Sequence, residues 1–194
     1  MERMDGKTPL EADELDELLI RDINTREELN EYEQRNIEKA IVWTMGRTFS
    51  ADQLLNDGFI RRLHKLMYGK VWSWAGKYRK TNKNIGIEKH LISQELRMAI
   101  DDCKFHIKND SFPPDEISIR FKHRLVSIHC FPNGNGRHSR LMADLIIEHV
   151  FNLPVFSWGA ANLSGNNDVR KSYLHSIRKA DQGEFSELVQ FARS

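Results

Sequence analysis

Twelve consecutive residues, HCFPNGNGRHSR (129–140), set a titratable imidazole, two glycines around an asparagine and two arginines within reach of one another. Upstream, Phe121, Leu125 and Ile128 recur at i, i+4 and i+7; downstream, Leu141, Met142, Leu145 and Ile146 recur at i, i+1, i+4 and i+5. Both flanks therefore have a helical period. Asn-Gly between apolar runs is also the strongest short hairpin signal, but neither flank alternates. Pro132, Asn133, Gly134, Asn135 and Gly136 form a turn by composition, so the pattern predicts helix, tight loop, helix, the second helix opening at about Asn135 or Gly136. The first amides of a helix lack intrahelical acceptors; small residues let an anion approach them, and the helix dipole favours it. Arg137 and Arg140, three apart, share a face beside that opening, and guanidinium forks suit phosphate oxygens. His129 faces the same opening from the end of the first helix. Singly, His129 would be a residue at a helix C-terminus and the arginines solvated surface. Together they point to phosphate chemistry.

The elements that must position this motif follow in chain order. Leucines at 15, 18 and 19 in an acidic stretch predict a short amphipathic helix over 11–20. Thr25 and Glu28 make a capping box for a helix ending near Gly46, with Leu29, Tyr32, Ile37, Ala40, Ile41 and Thr44 on its apolar face. A second capping box, Ser50 to Gln53, opens a helical region that breaks near Asn56-Asp57-Gly58 and stops at Gly69; its core positions are Leu54, Leu55, Leu63, Leu66 and Met67. Trp72 and Trp74 sit in an aromatic cluster that belongs to a core. Residues 78–87 lack a helical period and suggest a short hairpin. A helix over 93–108, the loop around Pro113-Pro114, the two motif helices, an irregular stretch over 153–168 and two C-terminal helices complete the chain.

At 194 residues, 40% hydrophobic and 29% charged, the chain can bury one core, roughly 70% of its unfolded surface. A net charge of +1 with interspersed signs gives no electrostatic case for nucleic acid or an anionic membrane. Cys103 and Cys130 are too few for a disulfide framework or a thiolate metal site, and no apolar run approaches about 18 residues. A cytoplasmic location is expected. No H-E-x-x-H zinc motif is present, and no Gly-Lys-Ser/Thr follows Gly134 and Gly136 as a Walker loop requires.

The motif resembles the signature of the Fic (Fido) family, H-x-F-x-D/E-G-N-G-R-x-x-R. His129, Phe131, Gly134, Asn135, Gly136, Arg137 and Arg140 match it, and Asn133 replaces the usual acid. The resemblance runs from about Ser50 to the C-terminus, and within the family it is greatest to the group called mobile mystery protein B. It implies a mainly α fold: a Fic-type helical bundle around the helix–loop–helix motif, with a short β-hairpin flap. Residues 1–49 would be an N-terminal helical extension packed on the core and 50–194 the Fic domain. The implied activity is that of a protein adenylyltransferase, moving AMP from ATP to a Ser, Thr or Tyr hydroxyl of a protein target. His129 would be the general base. The amides of Gly134, Asn135 and Gly136 would hold phosphate oxygens, Arg137 and Arg140 would hold the outer phosphates, and Phe131 would anchor the loop.

By the same resemblance Tyr173 would line the adenosine pocket, although a core role would also account for it. Mg²⁺ would bridge phosphates, with Asn133 offering only a neutral oxygen. The flap residues Lys77, Tyr78, Arg79 and Lys80 would dock the target as an added strand, unless those charges only keep a solvated edge from aggregating. Glu28 would be the candidate for an inhibitory acid, its alternative being the return partner of the capping box. A helix-turn-helix regulatory partner is implied as well, with no direct nucleic-acid contact. Two other readings stay open: a silent nucleotide-binding module, and a partner-controlled effector using another diphosphate-containing donor.

Overall fold

A computed structural model describes residues 16–20, 26–159 and 166–194, and the regular structure among them is helical. Helix α1 (Arg26–Met45) runs to Met45 as expected, while Thr25, the predicted cap, lies outside the described residues. Its buried face is Leu29, Glu33, Asn36, Ile37, Ala40 and Thr44. The predicted stripe is thus rotated: Tyr32 and Ile41 are exposed, and Glu33 and Asn36 turn inward in their place. Polar partners inside the fold cause this, because Glu33 accepts the indole N–H of Trp72 at 2.8 Å.

The Ser50 capping box forms in both directions: Ser50 Oγ accepts the Gln53 amide at 3.3 Å, and Gln53 Oε1 accepts the Ser50 amide at 2.8 Å. Helix α2 (Ala51–Leu54) follows, then the expected break, where Asn56 caps α3 (Asp57–Tyr68) by accepting the Phe59 amide at 2.9 Å. Beyond a 3₁₀ turn (Lys89–Leu91) come α4 (Ile92–Lys108) and α5 (Pro114–Ile128), the latter opened by a proline whose missing N–H is no loss there. Helices α6 (Asn135–His149), α7 (Asn166–Asp181) and α8 (Ser186–Arg193) complete the chain.

Helices α5 and α6 pack on each other, α4 covers α5, α1 lies on α3, and α7 pairs with α8. One apolar core joins Leu54, Leu63, Trp72, Leu96, Leu125 and Phe131, and it includes Leu29, Ile37 and Ala40 of α1. A smaller core of Ile119, Ala143, Ile147, Phe156, Leu188 and Ala192 seats the C-terminal helices on the motif pair.

Two local expectations fail. Residues 16–20 are not helical; 11–15 lie outside the described residues. Leu18 bridges Trp72 in antiparallel fashion, Leu19 donates to the Val71 carbonyl at 2.8 Å, and Ser73 donates to that of Glu17 at 3.0 Å. Pairing with the Trp72 turn overrides the weak helical period. The segment 77–88 contains no paired strands, so the flap is an irregular loop and not a β-hairpin. A side chain replaces the ladder: Arg79 donates to the Thr81 carbonyl at 2.9 Å and to that of Ile87, tying the two limbs together.

Candidate active site

The motif loop is braced from within before any ligand arrives. Helix α5 ends because His129 takes a left-handed conformation, φ 55°, while its amide still donates to Leu125 at 3.2 Å. Asn135 closes the loop on Phe131, accepting its amide at 3.0 Å and donating to its carbonyl at 2.8 Å. Phe131 stacks on His64, ring centroids 3.7 Å apart. His64 is fully buried, and its Nδ1 accepts the Gly76 amide at 3.0 Å. Nε2 therefore carries the proton and donates to the Asn133 carbonyl at 3.0 Å. Asn133 Oδ1 in turn accepts the Gly134 amide at 2.7 Å. Both ends of the Asn133–Gly134 peptide are thus held.

This bracing divides the predicted cradle. The Gly134 amide is taken by Asn133, so it is not among the donors that face outward. The amides of Asn135, Gly136 and Arg137 precede the first intrahelical bond of α6, which runs from His138 to Gly134 at 3.0 Å. A Cβ on Gly136 would meet nothing within 4 Å, so that face is open. Gly134 is required for another reason: at φ 78° a Cβ would lie 2.5 Å from the Tyr68 ring.

His129 is 5% exposed, and neither ring nitrogen has a hydrogen-bond partner among the described residues. Burial first, then the charges of Arg79 and Lys83, push its pKa down to about 4; the Val126 carbonyl opposes this without reaching hydrogen-bond geometry. At neutral pH the imidazole holds a free lone pair. Gly86, at φ 93°, lies over it so closely that a Cβ would sit 2.5 Å from His129 Cβ.

The four flap residues separate. Lys77 and Lys80 are exposed and Tyr78 is half-buried, its hydroxyl donating to Asp57. Arg79, 3% exposed, is a strut: its amide donates to Cys130 at 2.9 Å and its Nε to the His129 carbonyl at 2.7 Å. Its guanidinium hydrogen bonds satisfy loop carbonyls and leave no surface for a target.

The two arginines also part company. Arg137 donates to Glu33 of α1 at 2.7 Å and lies 5.2 Å from the Tyr68 ring centroid. Arg140 has no hydrogen bond or ion pair among the described residues; Tyr68, Tyr173, Lys122 and Asp144 feel its charge. Tyr173 packs on Phe191 and accepts from Lys122 Nζ at 2.6 Å. Burial, then Arg140, lowers the Lys122 pKa to about 7, and burial raises that of Asp144 to about 7. Glu28 is exposed in the first turn of α1, and further along the same helix Glu33 pairs with Arg137 of the motif.

Sequence reasoning missed His64, Tyr68, Glu33 and Lys122. Lys122 carried a signal, lying seven residues before His129 and so two turns back on one face. Glu33 did too, as an acid in register with Leu29, Ile37 and Ala40. His64 and Tyr68 carried none beyond their place in an apolar helix.

Residues 54–147 match the family model of the Fic/DOC family. The fold is shared with Fic-1 (residues 134–508) from C. elegans at TM-score 0.69 and 20% identity, over 91% of this chain and 50% of that one. The N-terminal FIC domain of Bep8 from Bartonella sp. 1-1C aligns at 0.68 and 13% identity, over 89% and 88%. BepC from Bartonella tribocorum, whose structure contains bound AMPPNP, aligns at 0.66 and 15%, over 88% and 87%. The Fic/DOC match thus covers the helices around the motif, residues 54–147, just under half of the chain. It spans half the length of the C. elegans fragment. Among the described residues no helix is long and apolar enough to cross a membrane.

Proposed function

We propose that this chain is a Fic-type nucleotidyltransferase that moves AMP from ATP to a hydroxyl side chain of a protein. One observation carries the reading: a neutral His129, unpartnered among the described residues, ends the helix that leads through the motif loop to the open N-terminus of α6. His129 takes the proton of a target Ser, Thr or Tyr hydroxyl as its oxygen bonds to the α-phosphorus. The bond from that phosphorus to the β-phosphate bridging oxygen breaks, and pyrophosphate leaves with the electron pair. Charge that builds on the phosphoryl oxygens meets the Asn135 and Gly136 amides and the α6 dipole. Arg140, unpaired among the described residues, is the cation for the outer phosphates. Tyr173, steadied by Lys122, forms a wall beside it. Lys77 and Lys80 flank the flap backbone offered to the target. A cytoplasmic setting and a helix-turn-helix partner belong to the same proposal.

Magnesium does not find a protein cage in these residues. Asn133 Oδ1 is turned onto the Gly134 amide, and the described residues contain no group of three or more metal-ligating side chains. An ion carried in by ATP would neutralise phosphate charge, and no step above runs through it.

The Asn133 lock and the Glu33–Arg137 pair motivate a second reading, a nucleotide-binding module without transfer. Incubation with lysate and ATP labelled at the α-phosphate separates the two. Label should appear on protein and fall roughly 10²- to 10⁴-fold in His129→Ala, with ATP affinity nearly unchanged. ATP binding without label supports the module, and no binding removes both.

A further inference from the structure

Resting on the nucleotide-site reading above, we propose that the Tyr68 hydroxyl is a further donor of that site, binding a phosphate oxygen at the N-terminus of α6. Tyr68 ends α3 and is 0% exposed. A Cβ placed on Gly134 would fall 2.5 Å from its ring carbons and 2.7 Å from Oη. The phenol oxygen is therefore lodged against the residue that caps α6.

Oη is buried and has no hydrogen-bond partner among the described residues. Its polar neighbours do not supply an acceptor. Arg137, lying across the ring, has donors only. The Glu33 oxygens are bonded to Trp72 and Arg137, and Asn133 Oδ1 to the Gly134 amide. Burial holds the phenol pKa well above its ordinary value, so the proton stays on at neutral pH. A desolvated O–H without an acceptor is a cost to the fold that phenylalanine would not carry in the same slot. A phosphate oxygen brings the acceptor, and Arg137 and Arg140 balance its charge. The phenol oxygen can take the Arg137 donor in the free protein, but its proton finds an acceptor only in the complex.

Tyr68→Phe removes this oxygen and leaves the ring that packs on Gly134. The full chain and the variant are compared by thermal melting without ligand and by calorimetric titration with ATP and with inorganic pyrophosphate. The variant should melt at the same or a higher temperature yet bind both probes roughly 10- to 150-fold more weakly, as loss of a hydrogen bond to a charged group implies. Unchanged affinity beside a raised melting point would overturn the proposal, leaving the hydroxyl a solvent-paired remnant. A lowered melting point with unchanged affinity would overturn it too, by showing an internal structural partner. If the unaltered chain binds neither probe, the nucleotide reading itself fails; a failure confined to Tyr68 shows instead as equal, measurable binding in both proteins.

Discussion

Burial, and then the cations of Arg79 and Lys83, act in one direction on His129 and hold its pKa at about 4. A free imidazole near 6.5 would lose its lone pair in mildly acid solution; this one keeps it two units further down. The acid limb of kcat/KM, which reports the free enzyme, should therefore fall below pH 5. A pH–rate profile with its limb at 6.5 would contradict the burial of His129 as a catalytic feature. Residue types were legible here, because spacing alone placed an imidazole, glycines and arginines at one helix opening. Their availability was not. Spacing shows which face a side chain shares, but not whether a distant element has already claimed it. The Gly134 amide is taken by its neighbour Asn133, whose carbonyl is fixed by His64, 69 positions away. Arg137 is claimed by Glu33, 104 positions away. Of the two motif arginines, Arg140 remains unpaired among the described residues.

At the scale of elements, the helices were legible where short-range chemistry decides them. The Ser50 capping box, the Asn56 break and the Pro113-Pro114 stop all act within four residues. The flap was misread because its limbs are joined by one guanidinium, which leaves no alternating pattern. Residues 16–20 were misread because leucines at 18 and 19 suit helix or strand, and pairing with Trp72 chose between them. Helix α1 bears on the site through Glu33, buried between Trp72 and Arg137. Glu33→Gln weakens this charge-assisted bond to a part-exposed arginine, a loss of about 1–2 kcal/mol and so about 2–8 °C in Tm. It also frees Arg137 toward the opening of α6, and ATP affinity should rise several-fold. A fall in Tm with no gain in affinity would make Arg137 a strut alone and leave Arg140 to hold the outer phosphates.

Across the whole molecule, acid should act through buried imidazoles. His129 and His138 have pKa values pushed down to about 4, burial being the main cause in each, and burial likewise holds His64 well below 6.5. A group whose folded pKa is depressed contributes stability above its unfolded pKa and loses it as pH falls through the folded value. All three groups thus destabilise the fold between about pH 6.5 and 4. Asp144 has the opposite sign: burial raises it to about 7 from 3.8, so in this window the folded state holds a proton that the unfolded state lacks. Lys122, at about 7, is protonated in both states through most of the window and adds little slope. Counting His129 and His138 against Asp144, unfolding near pH 5 takes up a net of about one proton, and stability should fall by roughly 1 kcal/mol per pH unit, with His64 acting in the same direction. Urea unfolding at pH 7, 6 and 5 measures that slope directly. Asp144→Asn removes the opposing group while keeping an acceptor for Trp158, whose indole N–H lies 3.0 Å from it. The variant should therefore show a steeper decline, approaching roughly 2–3 kcal/mol per unit as the imidazoles of His129 and His138 act unopposed. A flat profile in the native chain, or an equal slope in the variant, would mean that the histidines at the motif are reached by water and titrate as they do in the open chain.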